Sequence, residues 1–179
     1  MAATAARARR TPGGELLTEG IIAPYGRVVS VLGRSERFLA ASLEPAAEGV
    51  VLDVQHRSAT PGPEVGRLEP VGDLVDADQR PEGLFARFTM RSGEAARTVW
   101  ELVRMGTLPA FSVTFTALDP PHREPARAGQ GDVRRGVVSA VALTDRPVYS
   151  ETAALAAARS RRLEAAGLHL RRIHEARRR

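Results

Sequence analysis

Few residue types in this chain can do covalent chemistry, and the two best candidates sit in strand-like surroundings. Cysteine and lysine are both absent, so a nucleophile would have to be a hydroxyl or a carboxylate. In GTLPAFSVTF, Gly106 to Phe115, a serine stands between Phe111 and Val113 just after a helix-like segment ends at a glycine. Strand alternation puts Phe111, Val113 and Phe115 on one face and Ser112 and Thr114 on the other. With the apolar face turned inward, Ser112 points outward, where a substrate could reach it. An ordinary half-exposed strand serine gives the same pattern. His56 ends the run Val50, Leu52, Val54 on the apolar parity, where a strand gives way to the loop RSATPGP. A histidine there is partly desolvated yet reachable, which suits a general base; a hydrogen-bonded edge histidine reads the same way.

Other chemistries find little support. The remaining histidines, His122, His169 and His174, form no HExxH pattern, and thiolate metal sites are impossible without cysteine. No GxGxxG or P-loop spacing occurs, so neither a metal nor a nucleotide cofactor is expected. No apolar run approaches the roughly 18 residues that span a bilayer, and the N-terminus lacks the apolar region of a secretory signal. These features, with the absence of disulfides, point to a soluble intracellular protein. All 26 basic residues are arginine, and the net charge is +5. That excess lies in residues 151–179; residues 1–150 are balanced, so a nucleic-acid-binding main domain is not expected.

The elements that must position Ser112 and His56 follow from periodicity. Residues 1–14 read as a disordered basic arm, 15–150 as the domain and 151–179 as an Arg-rich helical tail. Short strands are expected in 16–33, a short helix over 35–46, a strand over 49–56 and short strand pieces over 64–83. GLFARFTM (83–90) alternates as a strand does. Residues 92–106 carry apolar positions at helical spacing, with Ser92 as a cap and Gly106 as terminator. A strand to about Leu118, a long loop over 119–132 and a strand over 133–147 follow. The order predicts an α+β fold: a small, mostly antiparallel β-barrel, closed or nearly so, surrounded by helices.

Seven segments in this order resemble a known family. They are EGIIAPYGRV with ERFLAASLE, VVLDVQH, VGRLEP, DADQRPEGLFARFTM, ELVRMGTLPAFSVTF and VALTDRPVYSETAAL. Together, over about residues 18–155, they look like the tailed-bacteriophage prohead serine proteases, capsid-maturation enzymes related in fold to the herpesvirus assembly proteases. The resemblance implies a serine endopeptidase that cleaves scaffold or major capsid protein segments, inside the assembling prohead in the host cytoplasm. It implies Ser112 as nucleophile and His56 as general base, with Gly136, Arg134 and Arg135 as candidate oxyanion donors. Where many members carry an acid in a Glu-Val-Ser-like triplet, this chain has Ala140-Val141-Ala142; Asp145 and Glu151 stand as substitute orienting acids. A catalytically weakened relative, acting as a non-enzymatic assembly or scaffold-binding factor, is the alternative. The basic tail would dock to an acidic scaffold segment; a homo-oligomer is compatible with this reading, a membrane partner is not.

Overall fold

The computed structural model describes residues 5–31, 34–55, 69–119 and 130–145. Its elements in chain order are β1 (Arg7–Arg10), β2 (Leu16–Pro24), β3 (Val28–Val31), β4 (Arg34–Phe38), β5 (Leu43–Pro45), β6 (Val51–Val54), β7 (Gly72–Arg80), β8 (Gly83–Met90), α1 (Glu94–Arg104), β9 (Ala110–Ala117), β10 (Gln130–Val133) and β11 (Gly136–Thr144). Alternation decides the long strands. In β8, Leu84, Ala86, Phe88 and Met90 are all buried in the core, and β8 follows β7 through a two-residue connection that pairs Arg80 with Gly83.

The large sheet runs β1-β2-β8-β7-β6-β11, with β5 continuing along the same edge of β11 as β6, and β9 on its other edge. It curls into a half-barrel. An isolated bridge between Ala5 and Ala110, reinforced by Ala6 N–H donating to the Pro109 carbonyl at 2.8 Å, draws its two ends together. Gly20 allows that approach: a Cβ there would lie 2.5 Å from the Ala5 carbonyl oxygen and 3.0 Å from the Phe111 ring. Inside the curl Phe38, Phe88, Phe111, Leu52, Val141 and Leu143 form the core. Helix α1 lays Ala96, Val99, Trp100 and Val103 against it, and Trp100 Nε1–H donates to the Leu17 carbonyl at 3.0 Å. A small sheet, β10-β4-β3, sits apart. There Arg37 and Asp132 are registered partners on parallel strands, and the guanidinium grips both carboxylate oxygens, at 2.9 and 2.6 Å.

Several expectations are corrected. The helices expected around the barrel do not form: α1 is the one helix among the described residues, and the architecture is a curled half-barrel of strands. The tail expected to be helical lies outside the described residues. Over 35–46 the chain makes β4 and β5 instead of a helix. Ala41 turns between them at φ 54°, and the strands pair with β10 and β11, roughly ninety residues on, so tertiary pairing overrides local propensity. The arm expected to be disordered is, at Arg7–Arg10, a strand paired to β2. Residues 72–80 form one continuous strand rather than pieces, because β8 pairs with them from Gly72 to Arg80 while β6 adds pairs at Gly72 and Asp73. Ser92 does not cap α1; Gly93 holds that position, with no side-chain hydrogen bond.

Candidate active site

The strand carrying Ser112 is launched by the end of α1. Gly106 takes the left-handed conformation, φ 74°, which a β-carbon would disfavour. Its N–H donates to the Val103 carbonyl at 2.9 Å, and Thr107 N–H reaches back to the Leu102 carbonyl at 2.8 Å. This paired closure satisfies the last helical carbonyls and turns the chain directly into β9. There Phe111 and Val113 enter the core, as alternation requires. Ser112 does take the opposite face, but it is not accessible as expected: it is only 3% exposed. Access rises along the strand, through half-buried Thr114 to exposed Thr116.

What lies beside Ser112 is set by the partner strands. On β11 its registered neighbour is Ala142, and on the far side of Ala142 the neighbour is Asp53 of β6. Registered residues on adjacent strands project to the same face, so Asp53, Ala142 and Ser112 form one row across three strands. The backbones of Asp53 and Ser112 are then two strand spacings apart, roughly 10 Å. Alanine leaves the space between them to other groups. Asp53 is 1% exposed, and its Oδ1 accepts the Val54 N–H at 2.5 Å, which fixes the carboxylate locally.

A β-bulge makes this row possible. Val138 pairs with Phe115, but Ala140 pairs with Thr114, so Ser139 is an extra residue in β11. Its hydroxyl lies 3.4 Å from the Thr114 carbonyl oxygen. Before the bulge Val138 turns into the core; after it Val141 and Leu143 do, and Ala140, Ala142 and Thr144 take the face of Ser112. Bulges re-aim side chains in this way. Without it, Val138, Ala140 and Ala142 would share one face.

Of the residues expected to act, Ser112 is placed as above. His56 and Glu151 lie outside the described residues; His56 directly follows Gln55, which ends β6 in a left-handed turn at φ 54°. Asp145 is half-buried, three residues past Ala142 and beyond the end of β11, outside the row. Gly136, Arg134 and Arg135 are corrected as oxyanion donors. Gly136 registers with Ala117, five residues and roughly 17 Å of strand rise from Ser112. Its N–H is already given to the Ser42 carbonyl at 2.8 Å. The residue missed by sequence reasoning is Asp53. Its only local signal was a lone acid on the strand face opposite Leu52 and Val54; the register of β6 on β11 is what brings that face beside Ser112.

Among the described residues there is no cluster of three or more metal-ligating side chains, and no helix is long and apolar enough to cross a membrane. In comparisons with family models, curated proteins and solved structures, nothing significantly matches this chain.

Proposed function

We propose that the chain is a serine endopeptidase of the prohead-protease kind, cutting scaffold or capsid-protein segments, with Asp53 rather than Asp145 or Glu151 as its orienting acid. The observation that carries this reading is the row itself: a buried carboxylate in register with the candidate nucleophile, separated by the smallest chiral side chain. An imidazole hydrogen-bonded at both nitrogens spans roughly 8 Å between the bonded atoms, which suits groups projecting in parallel from strands two spacings apart. In this scheme Asp53 accepts a hydrogen bond from one ring nitrogen of His56. The other takes the Ser112 proton as Oγ attacks the peptide carbonyl. The imidazolium then protonates the leaving amine, and water releases the acyl-enzyme. Packaging rests on the Arg-rich 156–179, docking to an acidic scaffold segment.

One observation favours a second reading. Ser112 and Asp53 are both almost wholly buried, as in a relative that keeps the fold for assembly and has lost the reaction. Co-expression with the capsid protein that the chain would process separates the two. Processing should disappear with Ser112→Ala and His56→Ala and fall by up to about 10⁴ with Asp53→Asn, the effect of losing an orienting acid. Equal processing by all four chains would remove the protease reading. Deleting 156–179 should leave processing of a soluble fragment intact while lowering the amount of this chain in purified proheads.

A further inference from the structure

A cavity of about 280 Å³ opens on the outer face of the β1-β2-β8-β7 region, and its walls are mostly charged side chains. One cross-strand row supplies alternating signs: Arg7 on β1 faces Glu19 on β2, Glu19 faces Arg87 on β8, and Arg87 faces Asp76 on β7. The charges are not evenly satisfied. Glu19 accepts from Arg87 at 2.9 Å, and Asp76 stands 3.8 Å from the same guanidinium. The hydrogen bond to Glu19 holds the Arg87 pKa above its ordinary value. Arg7 has no ion-pair partner among the described residues. Arg80 lies flat on Phe85, its guanidinium carbon 3.4 Å from the ring centroid, while its nearest carboxylate, Asp78, is 3.7 Å away and itself more than half exposed.

That arrangement has a chemical meaning. A guanidinium stacked on an aromatic face is held by the ring, and its N–H edges point sideways, free to make a bidentate grip on a carboxylate. Because Phe85 already orients the side chain, little rotamer entropy is lost on binding. Arg7 brings a second positive charge to the same cavity. Glu19 and Glu82 also line it, which disfavours polyanions such as nucleic acid and leaves room for one negative group. We infer that this cavity is a binding site for a single carboxylate of a peptide, held by Arg80 on its Phe85 platform with Arg7 opposite.

The site does not depend on Ser112 being a nucleophile, and binding is best measured on Ser112→Ala so that cleavage cannot consume the probe. Three fluorescein-labelled tetrapeptides serve: one with an internal glutamate and an amidated end, one with glutamine and a free C-terminal carboxylate, and one with glutamine and an amidated end. Fluorescence anisotropy at low salt should show binding of the first or second, identifying a side-chain or chain-end carboxylate, and not of the third. Arg80→Ala should weaken it roughly tenfold, the loss of one charge-assisted fork. Arg80→Lys, which keeps the charge and the fold but not the stacked fork, should weaken it as much, and Arg97→Glu on the exposed face of α1 should leave it unchanged. Binding of all three peptides alike, binding of none, equal loss with Arg97→Glu, or preferential capture of a single-stranded oligonucleotide through Arg80 would each overturn the assignment.

Discussion

The β2-β8-β7 region and the β6-β11-β9 region belong to one sheet but are built in opposite ways. In the first, β7 and β8 are consecutive, joined by two residues and antiparallel over their whole length. In the second, β6 and β11 run parallel with nearly ninety residues between them, β9 joins from the other side, and a bulge resets the phase at Ser139. Both regions carry register shifts, at Ile22 of β2 and Val75 of β7 as well as at Ser139; what differs is the parallel pairing of β6 on β11, which brings a buried acid and a hydroxyl into one row. The chemistry-bearing residues belong to the part of the sheet whose order cannot be read from neighbours in sequence.

The contrast is sharpest where the regions touch. Phe88 of β8 and Phe111 of β9 are both fully buried, their rings 6.0 Å apart. Either substitution to alanine should cost about 3–5 kcal/mol by denaturant unfolding. Because each removes the other's partner, the double variant should cost less than the sum. Full additivity would mean that the regions do not share one core.

A smaller effect tests the row. Ala142→Leu fills the space between Asp53 and Ser112 and should destabilise by about 1–3 kcal/mol through overpacking. Val75→Leu, at the exposed extra residue of β7, should change stability by less than about 0.5 kcal/mol. Similar melting shifts for the two would erase the distinction between the regions.

Smaller again is the loss of one hydrogen bond. Trp100→Phe keeps most of the ring but gives up the bond to the Leu17 carbonyl, at a cost of about 1 kcal/mol. An unchanged melting temperature would show that α1 is not tied to β2 in this way.

The smallest effect concerns pH. Arg91, hydrogen-bonded to Asp73 at 2.7 and 2.6 Å, holds the Asp73 carboxyl below its ordinary value. A carboxyl lowered on folding adds stability above its unfolded pKa and loses it as pH falls through the folded one. The pair is about half exposed, so the contribution is under about 1 kcal/mol. Asp73→Asn should therefore lower stability slightly at neutral and alkaline pH, leave it nearly unchanged at pH values below the folded pKa, and so flatten the acid limb. A steeper acid limb in the variant would reverse the sign and contradict the pairing.

Legibility in the sequence followed the same divide. GLFARFTM could be read because alternation and pairing are both local, and α1 because its apolar stripe is self-contained. SERFLAASLEPA was misread because what makes it strand, the pairing to 130–133 and 136–138, lies outside any local window. Ser112 could be found from its surroundings and its face predicted, but not its burial, which reflects what the whole chain stacks around that face. Asp53 escaped because a single acid in a strand usually marks the solvent side. Only the register of β6 on β11 turns it into a neighbour of the serine.

The extra residue at Ser139 also decides which length changes the row tolerates. Deleting it would remove only the bulge: Val138 would stay opposite Phe115, and Ala140, Val141 and Ala142 opposite Thr114, Val113 and Ser112, in a regular ladder with every face kept. One residue inserted between Ala140 and Val141 would instead set Val141 beside Ser112 and fill the row while every named residue survives. The sheet is forgiving of a lost codon at the bulge and unforgiving of a gained one just past it.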